Sequence, residues 1–148
     1  MIAAFGKDGD FWPSALELAG GDLHKFSKLP LDERLSSFAA NFISALQKRP
    51  MTQAIMAWEI IETNELTEEL ERVREQSIME FFKLFFMKDE TNTDLQAIIM
   101  LVGAAISYLV LRSKNIDLYG GIDIGSKQGW GRLQDGIDAI IKSVLKPE

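Results

Sequence analysis

The chain has 148 residues, one His and no Cys, and its sixteen Lys and Arg against twenty-two Asp and Glu leave a net charge of −6. Zero Cys excludes disulfides, zinc–thiolate sites, iron–sulfur clusters and thiol nucleophiles, and a lone imidazole, His24, excludes any mechanism that needs two. The acidic balance opposes this chain, on its own, coating a nucleic acid or an anionic membrane, while 47% apolar and 26% charged residues suit one globular domain in a reducing, cytoplasmic setting.

The start, Met1 to Phe11, lacks the basic head and apolar run of a secretory signal. Gly6, Gly9, Gly20 and Gly21 interrupt residues 1–29, leaving short helical turns around Pro13 to Leu18 and Asp22 to Phe26. Ser14 to Glu17 offers a capping box. This stretch reads as a connector packed by Phe5, Phe11 and Trp12, ahead of a helical domain over 30–148.

Five long helices follow. Leu31, Leu35, Phe38, Phe42 and Leu46 recur at helical period, with Pro30 early, Asp32 and Glu33 at the positive end of the dipole, and Pro50 as a break. The next helix aligns Met51, Ile55, Trp58 and Ile61 or Glu62. A third, from about Leu66 to Met87, carries Leu70, Val73, Ile78, Phe81 and Phe85 on one face, and its apolar second half must be sandwiched. Lys88 to Asn92 is a polar loop, and Thr93 to Gln96 fits a capping box for the fourth helix. That helix, Leu95 to Leu111, is apolar all round and sits at the short limit of about 17–25 residues for a membrane span. Asp94 and Arg112 close it, and the expectation is a helix covered on both faces in a soluble protein, with no membrane. Asn115 to Lys127 is a loop, with Asp117 to Ile124 its nearest approach to a strand. The fifth helix, about Gln128 to Leu145, aligns Leu133, Ile137, Ile140, Ile141 and Val144.

Chemical motifs are sparse. Gly120 to Gly125 has the glycine spacing of a phosphate cradle, but Ser126-Lys127 reverses the order that motif needs, and a tight turn explains the glycines. His24 has no partner ligands at helical spacing, so no metal site is expected. Glu59 and Glu62 share a helix side; they do acid–base work only if burial splits their proton affinities, and solvated charge is the default reading. No catalytic residue and no cofactor are expected.

The fourth helix raises an accounting problem. Its apolar surface exceeds what one small bundle covers, and leaving six such side chains wet forgoes about 9–18 kcal/mol as an upper bound. Burial against a second copy solves it. The expected architecture is therefore all-α: an antiparallel bundle of five long helices behind a short connector, forming a homodimer through its last two helices. Gly103, with Ser107 one turn on, admits a close helix, and the interface candidates are Ile99, Gly103, Ile106, Val110, Ile137, Ile141 and Val144.

Arg34-Leu35-Ser36-Ser37-Phe38-Ala39 through Leu46-Gln47-Lys48-Arg49-Pro50, then Ala57-Trp58-Glu59 with Asn64-Glu65-Leu66-Thr67, Gly120-Gly121-Ile122-Asp123 and Gly129-Trp130-Gly131-Arg132-Leu133, stand in an order and spacing that resemble the C-terminal ligand-binding and dimerisation region of TetR-family transcriptional regulators. Phe11-Trp12-Pro13-Ser14 resembles the connector of one branch. Of the helix-turn-helix that family members carry ahead of this region, only Phe5-Gly6-Lys7 resembles a remnant, so DNA is expected as a partner only through a head outside this chain. The resemblance implies that a small apolar or aromatic effector enters between the helices and shifts the separation of two attached DNA heads. Helical faces offer Phe42, Trp58, Phe81, Phe85, Met100 and Tyr108 as the pocket, with Glu62 as polar anchor. The alternative is a headless module that binds a ligand or a full-length regulator without DNA contacts of its own.

Overall fold

The computed structural model describes residues 11–87 and 93–145, so Phe5, the Phe5-Gly6-Lys7 remnant and the Lys88–Asn92 loop lie outside the described residues. Among the described residues the chain forms seven helices and one small hairpin: α1 (Ala15–Leu18), α2 (Leu23–Lys28), α3 (Leu31–Gln47), α4 (Pro50–Ile61), α5 (Glu65–Phe85), α6 (Leu95–Arg112), β1 (Leu118–Tyr119), β2 (Ile122–Asp123) and α7 (Lys127–Val144). The all-α reading is the observed class.

The element at the centre is α3, which packs against α1, α4, α6 and α7. Its period explains why. Leu35, Phe38, Ala39, Phe42, Ile43 and Leu46 are all buried, with polar residues only on the remaining arc. Arg34 is also buried, at 8% exposure. Its guanidinium donates to the Phe85 carbonyl at 2.8 Å and the Leu29 carbonyl at 2.7 Å and lies 5.6 Å from the Phe86 ring centroid, so the C-terminal carbonyls of α5 gain the cation they favour.

The connector does more than link. Phe11 is fully buried and Trp12 is 6% exposed. The Thr52 hydroxyl of α4 donates to the Phe11 carbonyl at 2.8 Å, which satisfies a buried backbone group far from any helix ladder. Ser14 caps α1 by accepting from the Glu17 amide, but Glu17 does not reach back. Instead its carboxylate takes both terminal nitrogens of Arg49, with Lys48 beside it at 3.4 Å. Those hydrogen bonds, helped by the two positive charges and opposed by burial, hold the Glu17 carboxyl below its usual range.

One local start signal differs from expectation, and two others take definite form. Asp94, not Thr93, caps α6, accepting from the Ala97 amide at 3.0 Å; Asp94 stands three residues before that donor, the spacing an N-cap needs. Asn64 and Thr67 form a reciprocal capping box that opens α5. The Asp117–Ile124 loop holds a two-stranded antiparallel hairpin, with Leu118 opposite Asp123 and Tyr119 opposite Ile122. Gly120 and Gly121 sit at φ +59° and +84°, the left-handed pair that a two-residue hairpin turn requires. This hairpin is clamped to α7: the Trp130 indole donates to the Ile124 carbonyl at 2.7 Å. A Cβ on Gly129 would fall 1.6 Å from the Asp123 carbonyl oxygen, so no larger residue fits there.

Two expected faces are corrected. On α4 the buried positions are Thr52, Gln53 and Ile55, while Met51 is 45% and Ile61 83% exposed, because Phe11 and the end of α3 take the side that carries the two polar residues. On α7 Ile141 is buried with Leu133 and Ile137 against the core, but Ile140 and Val144 are 61% and 42% exposed.

Candidate functional site

Between α3, α4, α5 and α6 lies a cleft in two adjoining parts. The inner part, about 210 Å³, is walled by Phe38 and Phe42 of α3, Ile78 and Phe81 of α5, and Ile99, Met100 and Gly103 of α6, with Trp12 and Leu18 closing it from the connector and α1. The outer part, about 360 Å³, is lined by Glu59, Ile60 and Glu62 at the end of α4, Glu68 and Glu71 on α5, and Tyr108 and Leu111 on α6. Met56, Arg74, Ala104 and Ser107 line both, so they stand where the two parts adjoin.

The inner wall is aromatic for a geometric reason. Phe38 and Phe42, one turn apart on α3, stack at 5.9 Å with rings 6° from parallel. Phe38 meets Phe81 at 5.3 Å, and Trp12 meets Phe42 at 5.5 Å. Opposite them α6 presents small residues at helical spacing, Gly103, Ala104 and Ser107. A Cβ on Gly103 would stand 3.9 Å from the Phe42 ring, an ordinary contact, so here the small residues leave room rather than admit another backbone.

At this boundary sits an ion pair. Arg74 of α5 donates to Glu59 Oε2 of α4, and both side chains are mostly buried, at 19% and 12% exposure. The same guanidinium lies 5.8 Å from the Trp12 ring centroid. Glu59 Oε1 and Trp12 Nε1 are both shut off from solvent and have no hydrogen-bond partner among the described residues. Buried polar atoms without partners are uncommon, and these two belong to residues on the wall of one cleft.

The expected pocket residues divide. Phe42, Phe81 and Met100 line the inner part, and Glu62 and Tyr108 the outer part. Phe85 does not reach the wall: it is buried in an aromatic cluster with Phe26 at 4.8 Å and Phe81 at 5.1 Å. Trp58, on the same α4 as Glu59 but a different side, is absent from both linings. Trp12, Glu59 and Arg74 were not expected there. The α4 spacing carried a signal for Glu59, which lies three residues after Met56 on the side that the Ile55–Trp58 alignment passes over.

The interface candidates are corrected more sharply. Ile99, Ile106, Val110 and Ile141 are 1–2% exposed within this one chain, and Gly103 and Ile137 are half-buried, so those six already face inward. Only Val144 is exposed. The uncovered face of α6 is instead Ala97, Leu101, Ala104, Ala105 and Tyr108, with Leu101 at 70% exposure. Tyr119 of the hairpin extends it, edge-on to Tyr108 at 5.8 Å. Helix α6 is thus buried over only 22% of its residues, not covered on both faces, and by length and composition it is the one described helix apolar enough to cross a membrane.

Comparison with family models, with curated proteins and with solved structures finds no match. The cleft and the bare face of α6 therefore have to carry the functional reading by their own chemistry.

Proposed function

We infer that this chain is the effector-sensing and dimerisation region of a TetR-like transcriptional regulator, and that its cleft takes a small molecule with an apolar or aromatic body. The observation that carries this reading is that one helix, α6, serves both surfaces. Its Ile99, Met100 and Gly103 wall the inner cleft, while Leu101 and Ala105 stand on the exposed apolar stripe beside it and Tyr108 belongs to both that stripe and the outer cleft. A soluble chain has reason to cover such a stripe, and a second copy of the same chain supplies a matching one. A ligand that wedges against Met100 and Gly103 changes the position of α6, and with it the geometry of whatever packs on the adjoining stripe. For such a ligand to switch anything it must bind one arrangement of the two copies better than the other, and the differential is the whole coupling energy.

No catalytic residue, metal or cofactor enters this reading. DNA contact belongs to a helix-turn-helix outside this chain, and the net charge of −6 fits a division in which a separate basic head holds the phosphates. The experiment is a titration with aromatic probes followed by tryptophan emission, on the natural chain and on Trp12→Phe. Quenching that saturates and is lost with Trp12 supports the cleft. Unchanged emission and unchanged melting temperature with every aromatic probe would contradict it.

A further inference from the structure

Resting on the cleft reading above, we propose that the ligand class is a lipophilic cation, an aromatic body carrying a protonated amine, and that its ammonium displaces Arg74 from Glu59. The boundary between the two parts of the cleft already holds one cation, the chain's own Arg74. Arg74 sits against a carboxylate and over an aromatic face at once, since it pairs with Glu59 Oε2 and its guanidinium lies 5.8 Å from the Trp12 ring. Those two groups are the recognition chemistry for an organic cation. The site is also only half used, because Glu59 Oε1 is buried without a donor. A buried carboxylate oxygen lacking a partner is satisfied by an N–H donor and by nothing anionic.

The surroundings agree in sign. The outer cleft is lined by Glu59, Glu62, Glu68 and Glu71 against the single cation Arg74, so a positive ligand is drawn in and a negative one is repelled. On the inner side of Arg74, Phe38, Phe42 and Phe81 receive an aromatic body once the guanidinium is displaced. Arg74 has somewhere to go when displaced: Glu71 lies one helical turn back on α5 and lines the same outer cleft. Its release removes the described ion pair between α4 and α5 and frees those two helices to move relative to one another. The ligand's charge is then the trigger, and its rings supply the affinity.

Three probes of one shape and different charge test this: naphthylmethylammonium, naphthylmethanol and naphthoate, titrated calorimetrically into the full chain. The ammonium is expected to bind best, the carboxylate worst. Glu59→Gln, which keeps the side-chain shape, is expected to weaken the ammonium at least about tenfold and to leave the alcohol unchanged. Arg74→Met removes the internal competitor and is expected to tighten the ammonium, a gain that a merely structural role for Arg74 would not produce. An alcohol or naphthoate that binds as well as the ammonium, or an ammonium indifferent to Glu59→Gln, overturns the cationic class and leaves the cleft reading standing. An Arg74→Met chain that binds the ammonium no better overturns the displacement. No binding by any of the three overturns both readings together.

Discussion

The two sides of α6 are made of the same kinds of residue and have opposite fates. Leu95, Ile99, Ile106 and Val110 turn toward α3 and are nearly inaccessible, whereas Leu101 is 70% and Tyr108 47% exposed. Nothing in side-chain chemistry separates Ile106 from Leu101; what separates them is that α3 offers a complementary apolar arc to one side only. An apolar residue contributes to the stability of a single copy only when something in that copy covers it. The inward stripe therefore holds this fold together, and the outward stripe contributes nothing to the stability of a single copy.

Four substitutions break that contrast at different points. The most damaging is expected at Gly129, where the hairpin that extends the outward stripe is seated on α7. Alanine there drives a Cβ into the Asp123 carbonyl, and a backbone clash that the hairpin cannot sidestep should cost at least about 4 kcal/mol in urea unfolding, with the hairpin lost before the helices. Next comes the inward stripe: Ile106→Ala leaves a cavity against the core and should cost about 2–5 kcal/mol in the same measurement.

A smaller effect tests the polar side of the packing. The Glu17 carboxyl is held low by Arg49 and Lys48, so its folded form binds fewer protons than its unfolded form. That stabilisation is complete at neutral pH and is lost as pH falls through the ordinary glutamate range and on through the lowered folded value. Glu17→Gln should cost about 1 kcal/mol at neutral pH and flatten the acid limb of a melting-temperature profile, because the pair is partly exposed. The smallest change is expected from Leu101→Ala on the outward stripe, within about 0.5 kcal/mol of the natural chain when unfolding is followed at concentrations too low for association. A cost like that of Ile106→Ala would mean that the stripe is covered within a single copy.

The contrast also explains what was legible in the sequence. Leu35, Phe38, Phe42 and Leu46 could be assigned to the core because polar residues fill the rest of that helix and leave one apolar arc. The same reasoning fails on α6, where Ile99 and Leu101 are equally apolar and period alone cannot say which side meets α3; hence the inversion of the interface candidates. The aromatic inner wall was half legible, since Phe42, Phe81 and Met100 follow from helical faces. Trp12 was not, because it reaches the cleft from a connector whose path is set by tertiary contacts such as Thr52 to the Phe11 carbonyl. Nor was the Glu59–Arg74 pair, whose partners lie on different helices fifteen residues apart and meet only once α4 folds back on α5.

That the outward stripe of α6 is covered by a second copy is the claim on which the regulator reading depends, and sedimentation equilibrium measures it directly. The natural chain at micromolar concentration should sediment at twice its chain mass of 16.6 kDa, and Leu101→Glu, which places a charge at the middle of the stripe, should sediment as a folded single copy. A natural chain that stays at its single-copy mass up to high micromolar concentration, folded and soluble, would contradict the account.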